Sequence, residues 1–120
     1  MSVLEDKISE ADVLRFVENL LRTKGYIFWR ENTIGVYDAR KGIYRTNPHR
    51  RKGVADVTVI VPPNGTYVGI ECKSSSGDMS QDQKYFRDDV MKTGAAYYLI
   101  RSQDEALKML EWWPFKEKAT

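Results

Sequence analysis

Two carboxylates and a lysine lie on the two arms of one turn. The first arm reads Gly53-Val54-Ala55-Asp56-Val57-Thr58-Val59-Ile60-Val61, the turn is Pro62-Pro63-Asn64-Gly65, and the second arm reads Thr66-Tyr67-Val68-Gly69-Ile70-Glu71-Cys72-Lys73. Symmetric pairing about the turn sets Val61 against Thr66, Ile60 against Tyr67 and Asp56 against Glu71. Like charges directly opposite on a sheet are destabilising, so such a pair calls for a cation between the acids or for water around both. Lys73 stands two residues beyond Glu71 and shares its face. An acid–x–lysine on a strand reads by itself as an ion pair; the opposed Asp56 turns the reading toward a metal site with an amine beside it. Hard oxygen ligands in a hydrated site suit Mg²⁺ or Mn²⁺. Such an ion polarises a phosphoryl oxygen and activates water, and the lysine can orient that water and stabilise charge building on phosphate.

Three further residues join this set. Glu10 falls on the same line of its helix as Leu14, Val17 and Leu21 when residues are placed at about 100° steps, so it is the acid expected to point toward the core and reach the metal, through water. Gln83 stands three residues after Ser80, where it completes a capping box, and it shares a helix face with Phe86 and Val90. Cys72 alternates away from Glu71 and Lys73, so its thiol belongs in the core while its carbonyl lies near the acids. A lone histidine, His49, and a single cysteine argue against zinc clusters and histidine-based nucleophilic triads, and the single cysteine excludes an internal disulfide framework.

These residues need a scaffold. Ser9 to Lys24 has a capping serine, an apolar arc and Gly25 as a stop, and predicts a helix. Tyr26 to Arg30 predicts a strand. The segment from Glu31 to Lys52 predicts an extra short hairpin or a loop. The central strands are Asp56–Val61, apolar enough to be buried on both faces, and Thr66–Lys73. Ser80 to Thr93 is a helix closed by Gly94, Ala96 to Arg101 a strand, and Ser102 to Trp113 a helix with Ser102 and Glu105 as a capping box. The strand–helix–strand unit after Glu71 predicts a parallel pair, and the opening meander an antiparallel one. The expected fold is α/β, one domain over residues 1–120, with a mixed central sheet flanked by helices.

The net charge of +2 conceals an asymmetry: residues 39–55 hold six of the nineteen Lys and Arg residues and none of the seventeen acids. These are Arg40, Lys41, Arg45, Arg50, Arg51 and Lys52. A cationic block on an otherwise acidic chain suggests a polyanionic partner. No segment reads as a membrane span or a signal peptide, and a cytoplasmic protein is expected.

Glu10, the Gly53-Val54-Ala55-Asp56 run, Glu71-Cys72-Lys73, and Gly77-Asp78-Met79-Ser80-Gln81-Asp82-Gln83 together resemble the VRR-NUC domain family of the PD-(D/E)XK nuclease superfamily, in its small stand-alone phage and bacterial type. The likeness covers nearly the whole chain. Cys72 stands where the family often has Val or Ile, and Ala55 where the superfamily's name has proline, a residue this family commonly lacks. The resemblance implies an αβββαβ restriction-endonuclease-like core with a C-terminal helix, and Mg²⁺- or Mn²⁺-dependent hydrolysis of DNA phosphodiesters. Asp56, Glu71 and the Cys72 carbonyl would bind the metal, Glu10 would assist, Lys73 would act on the attacking water and Gln83 would position the site. It further implies a homodimer acting on Holliday junctions or other branched DNA, with the Arg40–Lys52 segment holding phosphates. The alternatives are a non-catalytic DNA-binding module on the same fold, and a protein-interaction domain using Trp112, Trp113 and Phe115.

Overall fold

Alternation and capping signals along the chain become nine elements in a computed structural model, which describes residues 8–31, 36–45, 51–111 and 113. They are α1 (Glu10–Lys24), β1 (Ile27–Arg30), β2 (Val36–Asp38), β3 (Ile43–Arg45), β4 (Val57–Val61), β5 (Thr66–Cys72), α2 (Gln81–Lys92), β6 (Ala96–Ile100) and α3 (Gln103–Glu111). A four-stranded sheet runs in the order β1-β4-β5-β6, and β2 and β3 form a separate two-stranded sheet. β1, β4 and β5 are antiparallel neighbours, while β6 lies parallel to β5. The fold is mixed α/β.

Local chemistry sets the element ends. Ser9 accepts the Asp12 amide through its hydroxyl, and Gly25 closes α1 in the left-handed conformation, which lacks a Cβ penalty in glycine. Ser80 and Gln83 form a reciprocal capping box on α2. At α3 the Ser102 hydroxyl accepts the Glu105 amide at 3.1 Å, but the Glu105 carboxylate reaches past Ser102 to the Arg101 amide at 2.7 Å. This departs from the reciprocal box expected there and ties the helix start to the end of β6.

The two faces of the sheet differ. Val57, Val59, Val61, Val68, Ile70, Cys72 and Ile100 point to one side and pack against Val13, Val17 and Leu21 of α1 and Ala106 and Met109 of α3. Trp113 closes this core, with its ring 5.4 Å from Tyr26 and 5.9 Å from Tyr98. It therefore serves the interior rather than a contact patch; Trp112 and Phe115 lie outside the described residues. The opposite face carries Thr58, Ile60, Tyr67, Gly69, Glu71 and Tyr97, and α2 covers its β6 side. α2 itself buries none of its residues fully. Among the described residues no helix is long and apolar enough to cross a membrane.

Candidate active site

The register of β4 on β5 runs from Val61 opposite Thr66 to Val57 opposite Ile70. One step further brings Asp56, just before β4, opposite Glu71. Asp56 is held there by the backbone: the Cys72 amide donates to its Oδ2 at 2.8 Å. The next amide, that of Lys73, donates the other way, to the Ile100 carbonyl at 3.0 Å. Successive residues of a strand address opposite neighbours, so the Cys72 carbonyl opens toward Asp56. The Cys72 side chain is fully buried in the core, where burial and the nearby acids push its thiol far up and leave it inert.

Glu71 is only 1% exposed. Gln83 Nε2 donates to its Oε2 at 3.0 Å, and Lys73 Nζ lies 3.8 Å from the same oxygen. Its Oε1 is buried with no hydrogen-bond partner. Burial pushes the Glu71 carboxyl up to about 8; the adjacent Asp56 carboxylate pushes the same way, Lys73 opposes, and Glu10 adds a last upward push. The Glu71 carboxyl is therefore largely protonated near neutrality in the absence of a bound cation.

The low-dielectric wall comes from aromatic rings on the same face. Tyr97 stands opposite Gly69 on β6, its hydroxyl is buried without a partner, and burial followed by the Glu71 and Asp56 charges raises its pKa. Tyr67 leans over Gly69: a Cβ at that position would lie 3.0 Å from the Tyr67 hydroxyl. Glycine at 69 is what leaves room for the Tyr67 ring there.

Gln83 links the helix start to the acid. Its Oε1 accepts the Ser80 amide at 2.7 Å while its Nε2 faces Glu71, so one side chain serves both cap and site. The end of the cationic segment rests on the same turn of α2. Gly53 has φ +78°, and a Cβ there would sit 2.3 Å from the Asp82 carbonyl carbon and oxygen. Arg51 is drawn onto α2, where its guanidinium pairs with Asp89 and lies 5.2 Å from the Phe86 ring centroid. It borders a cleft of about 360 Å³ with Tyr67, Phe86 and Val90, toward the far end of α2 from Gln83. Lys52, Arg40 and Lys41 are exposed. Arg50 and the lone His49 lie outside the described residues, as does the side chain of Arg45.

Glu10 differs from its expected placement. It lies on the line of Val13, Val17 and Leu21, which are buried, yet is itself exposed. Its charge nonetheless reaches Glu71 and raises that carboxyl. Among the described residues no three His, Cys, Asp or Glu side chains converge as a metal-holding group; the donor set is two carboxylates and a carbonyl.

Two residues outside the sequence reading adjoin the site. Glu31 continues the β1–β4 ladder, its amide donating to the Asp56 carbonyl at 2.8 Å. This aligns Glu31, Asp56 and Glu71 across three strands, although Glu31 Oε1 turns back to accept from Trp29 Nε1 and the Thr58 hydroxyl. Arg101 donates through Nε and Nη2 to the Gly77 carbonyl at 3.1 and 2.9 Å, which clamps the loop between Lys73 and Ser80. Neither has a local motif; strand register alone could have pointed to Glu31. No protein-family model matches the chain, and no curated protein matches it.

Proposed function

We propose that this chain is a Mg²⁺- or Mn²⁺-dependent endodeoxyribonuclease of the VRR-NUC type, with a restriction-endonuclease-like core, acting on branched DNA such as four-way junctions. The observation that carries this reading is the buried Glu71, with one oxygen unpartnered, facing Asp56 and flanked by Lys73. A divalent cation answers all three features: it takes up the free oxygen, relieves the repulsion between the acids, and accepts the hard carbonyl donor of Cys72. Asp56, Glu71 and the Cys72 carbonyl are its ligands, with Glu10 assisting through water. When bound, the ion supplies Lewis-acid activation of water and of the phosphoryl group. Lys73 positions the water and lends positive charge to the phosphate oxygens as the P–O bond to water forms and the leaving P–O bond breaks. Gln83 holds Glu71 in place. The exposed cations at Arg40, Lys41 and Lys52, with Arg45 and Arg50, bind phosphates without reading sequence; Arg51 already has a protein partner and exchanges it for phosphate. A homodimer in the cytoplasm of a bacterial or phage-infected cell suits a two-fold branched substrate.

Cleavage of four-way junction, flap, single-stranded and linear duplex DNA, side by side in Mg²⁺, Mn²⁺ and EDTA, tests the proposal. Nicking that needs the metal and drops about 100-fold or more in Lys73→Ala and Asp56→Ala is the expected result. Full activity in those variants would overturn the site, and absence of metal-dependent cleavage on every substrate would overturn the function and leave a DNA-binding module.

A further inference from the structure

The β2–β3 hairpin has a composition that its place in the fold does not explain. Tyr37 and Tyr44 face each other directly across the two strands, with ring centroids 5.2 Å apart in an edge-to-face pair. Both are well exposed, at 54% and 64%, and Ile43 on the other side of the ribbon is 53% exposed. The turn between them is built by Asp38: its carbonyl accepts the Lys41 and Gly42 amides at 3.2 and 2.8 Å, and its carboxylate accepts the Arg40 amide at 3.0 Å. Gly42 takes the positive φ that this turn requires. Arg40 and Lys41 are thereby presented at an exposed tip, while the segment's one acid is engaged within the turn. Among the described residues no helix or strand of the main sheet packs extensively on the hairpin.

A two-stranded ribbon alone is marginally stable in water, and one with aromatic rings on its surface gains from a partner that covers them. The charge at the tip selects the kind of partner. Two cations beside flat aromatic faces match a chain in which phosphates alternate with π-faced rings, and stacking on aromatic side chains beside a cationic track is how unpaired nucleotides are held. Bases inside a continuous duplex have both faces covered by their neighbours; bases in the unpaired arms of a fork do not.

We propose that the β2–β3 hairpin is the element that engages unpaired bases of the DNA substrate, with Tyr37 and Tyr44 stacking on bases exposed at a branch and Arg40 and Lys41 holding the adjoining phosphates. The identity of the polymer rests on the nuclease reading above; the preference for unpaired bases rests on the hairpin.

Binding by the full chain in EDTA, read as the fluorescence anisotropy of a labelled forked duplex and of a blunt duplex of equal length, tests this apart from catalysis. Tyr37→Val with Tyr44→Val removes the rings while keeping strand-forming side chains, and Tyr37→Phe with Tyr44→Phe keeps the rings. The Val pair is expected to lose fork affinity roughly tenfold or more and duplex affinity less than about twofold, and the Phe pair to bind as the parent does. Arg40→Ala with Lys41→Ala should weaken both DNAs alike and reduce the salt dependence by about two phosphate contacts. Equal loss on fork and duplex in the Val pair, a Phe pair as weak as the Val pair, or a Val pair that changes only the solution mass would overturn the proposal, the last in favour of a contact with a second copy. Loss of fork preference in a protein that cleaves no DNA would refute the nuclease reading and leave the hairpin's role intact. Metal-dependent nicking with unaltered fork preference in the Val pair would do the reverse.

Discussion

Replacing Glu71 with glutamine should stabilise the metal-free protein at alkaline pH while destroying the site. The Glu71 carboxyl titrates near 8 in the folded chain against an ordinary value of 4.5. Below about pH 4.5 folded and unfolded forms both hold the proton, and the group contributes nothing to the pH dependence. Between the two values the folded form keeps the proton and the unfolded form loses it, so stability falls as pH rises, by about 1.4 kcal/mol per pH unit for one proton. Above about pH 8 both forms are ionised and the full penalty is present. Carried over the whole window the penalty has a ceiling of about 5 kcal/mol. Asp56 beside Glu71 is only half-buried, so water screens part of the penalty, and about 2–3 kcal/mol is the figure expected. The neutral amide of Glu71→Gln has nearly the same shape and can still receive the Gln83 amide. Urea unfolding in EDTA at pH 4.5 and pH 8.5 reads the difference: near coincidence at pH 4.5, and a midpoint higher by on the order of 1–2 M for the variant at pH 8.5. Mn²⁺ added at the higher pH should raise the parent's midpoint and not the variant's, since only the parent's folded state offers both carboxylates. If the two midpoints track each other across pH, the carboxyl is solvated and the argument for a cation at Glu71 fails with it.

Two packing positions give further predictions. Leu21→Ala removes a fully buried side chain of α1 at the sheet and should cost about 2–5 kcal/mol in urea unfolding. Gly53→Ala adds a methyl group onto the Asp82 backbone at a positive φ, and should cost about 2 kcal/mol or more; by shifting the start of α2 it should also lower cleavage more than its stability loss explains, which activity measured well below the melting temperature would show.

Much of the scaffold was legible because its signals are local. Capping residues and stop glycines marked α1 and α2 to within a residue or two. The Pro-Pro-Asn-Gly turn is tight enough that counting outward from it finds the observed register of β4 on β5, since no bulge intervenes. Alternation along β5 then sends Cys72 into the core and Glu71 to the other face, as side-chain geometry in a strand requires. The short hairpin between β1 and β4 was one of two expectations for its segment, because three-residue strands carry little periodic signal.

Other features have no local cause. Glu10 fits the core line of α1, but how far a residue at a helix start is covered depends on what packs around it, and here it is exposed. Arg51 belongs to a cationic run in the sequence, yet in space it pairs with Asp89, 38 residues away. Glu31 joins the row of acids only because β1 pairs with β4 across the hairpin insertion. The carboxylate pair itself was determined by sequence, through the turn and the period of two. That Glu71 is buried, with Gln83 on one oxygen and no hydrogen-bond partner on the other, was decided by the tertiary structure: burial and electrostatic coupling depend on neighbours from β6 and α2, and only their packing brings those groups around it.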